Sequence, residues 1–415
     1  MATVLVIGTL DTKGPETAYL AERIRDFGCS TLVLDSGILG EAVGITPDIT
    51  RQKVAQAAGS NIDALRFAGS RGKAVEQMLV GVRKIALELY AQGKIHGVTA
   101  LGGAEGTVLA TAAMKALPIG IPKLVVSPIA SGRRTFGPFV GTKDVMVMHS
   151  VVDILGLNSV SKQIFDTTAA AVAGMAKAYA ERPSASPPSS SIGKVATRTQ
   201  IAATMLGNTT RPLMWIKERL EPQGFDLVIF HANGVGGPAM EELFEQQMFQ
   251  GVIDYTLSEL AGEAAGGYHA GGAQRLETAG RLGLPQVVVP GCVDFIVFGS
   301  RSEVPEKFRG RPSYYHNPEF TLVRLAREEQ VEVARTLARK LNLAKGRVVL
   351  LVPTRGLSIP NHEKGGEFWD PETDAAFRME LKAGLSRAIE CREVDAHIND
   401  EAFAKVVLET AQQIF

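Results

Sequence analysis

Residues Gly8-Thr9-Leu10-Asp11-Thr12-Lys13-Gly14 bring two hydroxyls, a carboxylate and an ammonium into one short stretch between an apolar run and Pro15-Glu16. Thr9, Thr12 and Lys13 could hold a phosphate, and Asp11 could hold a Mg²⁺ ion or a ribose. The stretch lacks the order GxxxxGK followed by Ser or Thr, because Lys13 precedes its glycine. A plain strand-to-helix turn carries the same spelling. A second candidate is Leu101-Gly102-Gly103-Ala104-Glu105-Gly106-Thr107, ahead of the helical VLATAAMKAL. Glycines there let backbone amides face an anion, the helix N-terminus adds a favourable potential, and Thr107 adds a hydroxyl. Close packing of a helix on a sheet would ask for the same glycines. Glu105 beside phosphates needs a metal or points away. Asp35 ends the run TLVLD, where dinucleotide-binding folds place an acid on ribose hydroxyls, although no GxGxxG follows the first apolar run.

The second half carries different groups. Asn208 and Thr209 take the place of the first loop, His231 and Asn233 follow DLVIF, and Glu259, His269, Gly271 and Gly272 fall in an insertion. Asp294 follows QVVVP, and Arg355 follows VVLLV. Such a set at strand ends could bind a polar small molecule or a partner and move protons, and Arg355 suits a carboxylate or phosphate. A hydrogen-bonded strand-end histidine accounts for His231 equally well. Cys292 reads as a small buried residue rather than a nucleophile. A loop over Arg309 to Pro318 is rich in donors, and no HExxH or comparable ligand spacing marks a metal site.

These groups need elements to hold them. The runs VLVIG, TLVLD, GVTALGG, KLVVSP, DLVIF, QVVVP and VVLLVP lack strict alternation, which is how strands buried on both faces of a parallel sheet read. Helical composition falls between them, including Asp166 to Ala180 and Glu319 to Asn342. The pattern predicts an α/β chain of two successive Rossmann-like doubly wound domains with mainly parallel sheets, whose ligands collect at the carboxyl ends of the strands. The segments from Thr3 and Thr199 open alike, and that from His96 parallels that from Gly251 with a longer insertion in the second. Two related halves explain this; chance likeness between any two strand-helix-strand units is the alternative. AERPSASPPSSS, Ala180 to Ser191, is the clearest linker. It sets an N-terminal nucleotide-binding domain over 1–182, a linker over 183–191 and a second domain over 192–415.

Length and charge narrow the partners. The 415 residues carry 44 Lys plus Arg against 44 Asp plus Glu, so no overall field draws the chain to nucleic acid or an anionic membrane. Cys29, Cys292 and Cys391 form no CxxC pair, which fits a reducing compartment. ATVLVIG is too short for a signal peptide, and no apolar run reaches membrane-spanning length. Cytoplasmic residence is expected.

Taken as a set, GTLDTKGPE, LGGAEGT, GNTT, HANGVGGPAMEEL and YHAGG resemble the family of uncharacterised microbial proteins similar to the ATP-binding N-terminal part of the tomato mosaic virus resistance protein. The resemblance extends over nearly the whole chain. It implies two Rossmann-like domains, ATP held in the first by the GTLDTKG and GGAEGT positions, and a homodimer. The plant protein's C-terminal barrel would be missing, since the sequence stops at Phe415. No catalytic residue carries over. ATP beside a second polar rim suggests phosphoryl or nucleotidyl transfer to a small acid or sugar acid, with Mg²⁺ on Asp11 or Glu105 neutralising phosphate charge. A non-catalytic ATP-gated binding or regulatory protein and a nucleotide-sugar-dependent transferase are the alternatives.

Overall fold

All seven apolar runs form strands in the computed structural model, which describes residues 1–67, 71–130, 137–182 and 198–415. The expected linker over 183–191 lies outside the described residues. Contacts divide the chain into two units, Met1–Ser191 and Ile192–Phe415.

In the first unit, β1 (Thr3–Gly8), β2 (Ser30–Asp35), β3 (Gly97–Leu101), β4 (Lys123–Ser127) and β5 (Met146–His149) make one sheet in the order β2-β1-β3-β4-β5. Every pairing in it is parallel. Successive side chains of a strand point to opposite faces. Leu5 and Ile7 therefore join Met78, Val82 and Leu109 on one side of the sheet, while Val4 and Val6 join Leu20, Ile24 and Phe165 on the other. Burial on both faces is why the run shows no alternation.

The second unit contains β6 (Thr199–Met205), β7 (Phe225–His231), β8 (Gly251–Thr256), β9 (Gln286–Gly291), β10 (Phe295–Phe298), β11 (Ser313–Asn317), β12 (Phe320–Arg324), β13 (Val348–Pro353) and β14 (Glu390–Val394). Its main sheet, also parallel, runs β14-β13-β9-β8-β6-β7. Counted within each unit, the first strand sits between the second and third, with the fourth next outward, in both sheets. That shared order supports two related halves.

An antiparallel sheet, β10-β12-β11, is inserted between β9 and β13. It corrects two expectations. The donor-rich stretch Arg309 to Pro318 contains a strand, Ser313–Asn317. The helix expected over Glu319 to Asn342 begins only at Arg327, because Phe320–Arg324 pairs with both neighbours and buries Leu322 and Val323. Short apolar runs are ambiguous between helix and strand until a partner strand is present. No helix among the described residues is long and apolar enough to cross a membrane.

Candidate functional site

In the first unit, β1 and β3 are sheet neighbours from which the chain departs toward opposite edges, the arrangement that opens a crevice at the strands' carboxyl ends. A cleft of about 370 Å³ occupies that place. The β1 loop supplies Thr9, Asp11, Thr12 and Lys13, the β2 loop Gly37, Ile38 and Leu39, and the β3 loop Gly103, Ala104, Glu105 and Gly106.

Local geometry explains the β1 side. Helix Leu10–Asp26 starts directly after the strand, but Lys13 leaves helical geometry at φ −128° and ψ 24°. One separate turn therefore faces the cleft, and Pro15 opens the continuous helix, where its missing N–H costs nothing. Within the turn, the Thr9 carbonyl accepts from the Thr12 and Lys13 amides at 3.1 and 2.8 Å, and the Thr9 and Thr12 hydroxyls lie 3.2 Å apart. The Lys13 ammonium donates to the Ile154 carbonyl. Gly14 follows because a Cβ there would lie 1.7 Å from the Val43 carbonyl oxygen. Asp11 Oδ2 accepts from the Leu39 and Gly40 amides at 3.0 and 3.2 Å, so the acid also ties the β2 loop to the cleft.

On the β3 side, helix Ala104–Ala116 begins at the cleft with Gly103 as its N-cap. Thr107 and Gly102 serve this turn from beneath. Thr107 is buried, with its hydroxyl 3.1 and 2.8 Å from the Gly102 and Gly103 carbonyls and 2.8 Å from the Ser127 hydroxyl. A Cβ on Gly102 would come within 2.9 Å of Gly106 Cα. Helix-on-sheet packing thus explains these two positions.

Asp35 likewise lies below the cleft, 1% exposed. Its Oδ1 accepts from the Leu10 and Gly37 amides at 3.2 and 2.9 Å, and its Oδ2 pairs with Arg51 at 2.8 Å. Burial pushes its carboxyl up, against the pull of the Gly37 amide and the Arg51 guanidinium. The ribose role expected for Asp35 gives way to that of an anchor joining the β1 and β2 loops, because both oxygens are already engaged.

The second unit has its own cleft, of about 240 Å³. Asn208, His231, Asn233 and His269, four of the second-domain candidates, line it, and the antiparallel insertion adds Phe295, Val297, His316, Asn317, Phe320 and Leu322. Only His316 and Asn317 had a sequence signal, as donors in a polar stretch. Burial, and next the nearby His231, push the His269 imidazole down to about 4 from an ordinary 6.5. With the folded value below the unfolded one, this group's contribution to stability is complete above pH 6.5 and is lost as pH falls toward 4. Denaturant midpoints measured between pH 7 and 4 should therefore drop less for His269→Asn than for the native chain. Equal slopes would refute the assignment.

The remaining predicted residues do not line this cleft. Glu259 is fully buried; Oε1 accepts from the Gly234 and Gly237 amides at 2.8 and 3.1 Å, and Oε2 accepts from Arg275 Nε at 2.6 Å. Arg275 also grips Asp254 through two bonds of 2.6 and 2.7 Å and approaches Glu241. Gly271 packs on this cluster, where a Cβ would lie 2.8 Å from that of Glu259, and with Gly272 it borders a separate depression beside Glu241 and Arg275. Thr209 is buried with its hydroxyl 2.8 Å from that of Thr256. Asp294 is buried, accepts from the Ser358 hydroxyl at 2.6 Å, and is pushed up by burial. Arg355 pairs with Asp395 at 2.7 and 2.8 Å on an exposed edge. Cys292 is fully buried, and burial raises its thiol well above the ordinary range, as befits packing rather than nucleophilic attack. Among the described residues, no group of three or more His, Cys, Asp or Glu is arranged to hold a metal ion.

Fold and clefts together define a two-unit α/β protein with doubly wound parallel sheets. The chain belongs to the uncharacterised protein family UPF0261: residues 2–181 match its N-terminal domain and residues 198–415 its C-terminal domain. A UPF0261 protein of Clostridium tetani is 39% identical over 402 residues, spanning 97% of this chain and 96% of that one. The ToMV susceptible protein tm-1(GCR26) of Solanum lycopersicum is 32% identical over 427 residues, spanning 98% of this chain but 55% of its own length. Among solved structures, a Streptomyces glycosyltransferase, SsfS6, complexed with thymidine diphosphate, is similar at 13% identity and a TM-score of 0.19, over 99% of this chain and 100% of that one.

Proposed function

We propose that the cleft of the first unit binds ATP through its phosphates. The observation that carries this reading is convergence: two helix N-terminal turns, Leu10–Lys13 and Ala104–Gly106, line one cleft where the sheet order reverses. Helix N-termini favour anions through their outward amides and dipoles. The Thr9 hydroxyl adds a neutral donor, and the Thr12 hydroxyl, which donates to the Thr9 carbonyl, would turn from it to serve a phosphate. Lys13 adds a charge with three N–H groups, one of which the Ile154 carbonyl occupies. Adenine as the base rests on the motif resemblance described above.

The same cleft fits Mg²⁺ arriving on phosphate. Asp11 and Glu105 both line it, and a metal of this kind takes one or two carboxylates plus phosphate and water oxygens rather than a protein cage. Asp11 would hold it while Oδ2 keeps the Leu39 and Gly40 amides in place. When bound, the metal would neutralise charge on the phosphates.

Isothermal calorimetry of the full chain with ATP, with and without Mg²⁺, tests this directly. Saturable binding strengthened by Mg²⁺ is expected. Absence of heat with every adenine nucleotide would sink the proposal, and preference for a thymidine or uridine diphosphate sugar would replace the adenine reading.

A further inference from the structure

The cleft of the second unit differs in chemistry from the first. Three imidazoles, three carboxamides and the rings of Phe295 and Phe320 line it, and among the described residues no Asp, Glu, Lys or Arg does. Each carboxamide is held by its oxygen. Asn208 Oδ1 accepts from the Ile359 amide at 3.1 Å, Asn233 Oδ1 from the Val235 amide at 3.3 Å, and Asn317 Oδ1 from the Glu319 and Phe320 amides at 2.9 and 3.0 Å. Those donors fix which end of each amide is oxygen, so the NH₂ groups are the ends left to serve a ligand. His269 Nδ1 is buried without a hydrogen-bond partner, and a buried polar atom in that state calls for one.

We propose that this cleft binds a single uncharged sugar ring. Absence of lining charge disfavours an anion or cation, whose desolvation nothing would offset. The volume, about 240 Å³, lies below the range of roughly 300 to 1,000 Å³ typical for larger ligands, which points to one ring rather than a nucleotide. Amide N–H groups match hydroxyl oxygens as acceptors, and a neutral imidazole nitrogen accepts a hydroxyl proton. Phe320, 39% exposed, gives the apolar C–H face of a sugar a surface to rest on. A flat heterocycle would prefer parallel walls, but the His269 and Phe320 rings meet at 62° with centroids 6.4 Å apart. The site lies wholly in the second unit, so its test does not depend on nucleotide binding.

Imidazole resonances of the intact chain, labelled at histidine, read the site without mutation. Methyl glycosides of glucose, galactose and mannose are the probes, with glucuronate, adenine and uracil as controls. At least one glycoside should shift His231, His269 and His316 together, leaving His96 and His397 in place, and Asn233→Ala should weaken that binding at least tenfold while its circular dichroism stays native. If Asn233→Ala fails to fold, Phe320→Ala at the exposed rim carries the same expectation. No response to any glycoside, a tighter response to glucuronate, or a response to adenine or uracil alone would each overturn the proposal.

Discussion

Lys13→Ala should weaken ATP binding roughly ten- to hundredfold, whereas Arg355→Ala should leave it unchanged. Both cations end a stretch that follows a buried strand, and both suit phosphate by residue type. Their surroundings separate them. Lys13 lines the first cleft between two helix N-terminal turns, while Arg355 spends its guanidinium on Asp395 at an exposed edge of the other unit. A hydrogen bond to a charged group contributes about 1.5 to 3 kcal/mol, and each 1.4 kcal/mol is about tenfold in affinity. Lys13 also ties down the Ile154 carbonyl, so Lys13→Arg is the companion variant. It keeps the charge on a bulkier group and should lose less than Lys13→Ala. Calorimetry at two salt concentrations would add a check, since the native chain should lose affinity with salt more steeply than Lys13→Ala. Equal affinities for Lys13→Ala and the native chain would remove Lys13 from the site.

Arg275→Met should lower the melting temperature of the second unit by roughly 6 to 20 °C. Arg275 is fully buried and faces Asp254, Glu259 and Glu241. Removing one side of a buried ion pair costs about 3 to 5 kcal/mol, because the remaining charge is left without compensation. For a unit of this size, each kcal/mol shifts melting by about 2 to 4 °C. Burial, its largest influence, already pushes the Glu241 carboxyl up despite Arg275. A folded value above the unfolded one means the charged form is the strained one, so acid relieves the strain. The deficit of Arg275→Met should therefore shrink between pH 7 and 5, as measured by thermal melts across that range. A deficit independent of pH would assign the loss to packing alone. The cluster also shapes the second cleft, because Glu259 holds the Gly234 and Gly237 amides just after His231 and Asn233. A Cβ on Gly237 would lie 1.8 Å from Glu259 Oε2, which leaves no room for another residue there.

Much of the first cleft was legible. Thr9, Asp11, Thr12, Lys13, Gly103, Glu105 and Gly106 all follow buried strands in the sequence, and all of them line it. Position after a strand is a local property, and parallel sheets bring such positions to one edge. Asp35, Thr107 and Thr209 satisfied the same rule, yet they lie beneath the surface with their polar atoms engaged by neighbours, and Asp294, which follows QVVVP, is buried with one carboxylate oxygen held by Ser358. A polar residue at a strand end either faces ligand or holds the loop that does, and the two are spelled alike.

Seven buried strands of the parallel sheets and the likeness of the two halves can be read from short-range patterns of apolar residues, whereas β11 and β12 needed a partner strand to be told from loop and helix. Tertiary contacts separate the strand-end groups that face a cleft from those buried beneath it. Arg51 claiming Asp35 across 16 positions, Arg275 claiming Glu259 across 16 and Asp254 across 21, and the β10-β12-β11 sheet sharing a cleft with His231 and His269 are long-range pairings. Their partners are set by packing and desolvation, which no local window of residues records.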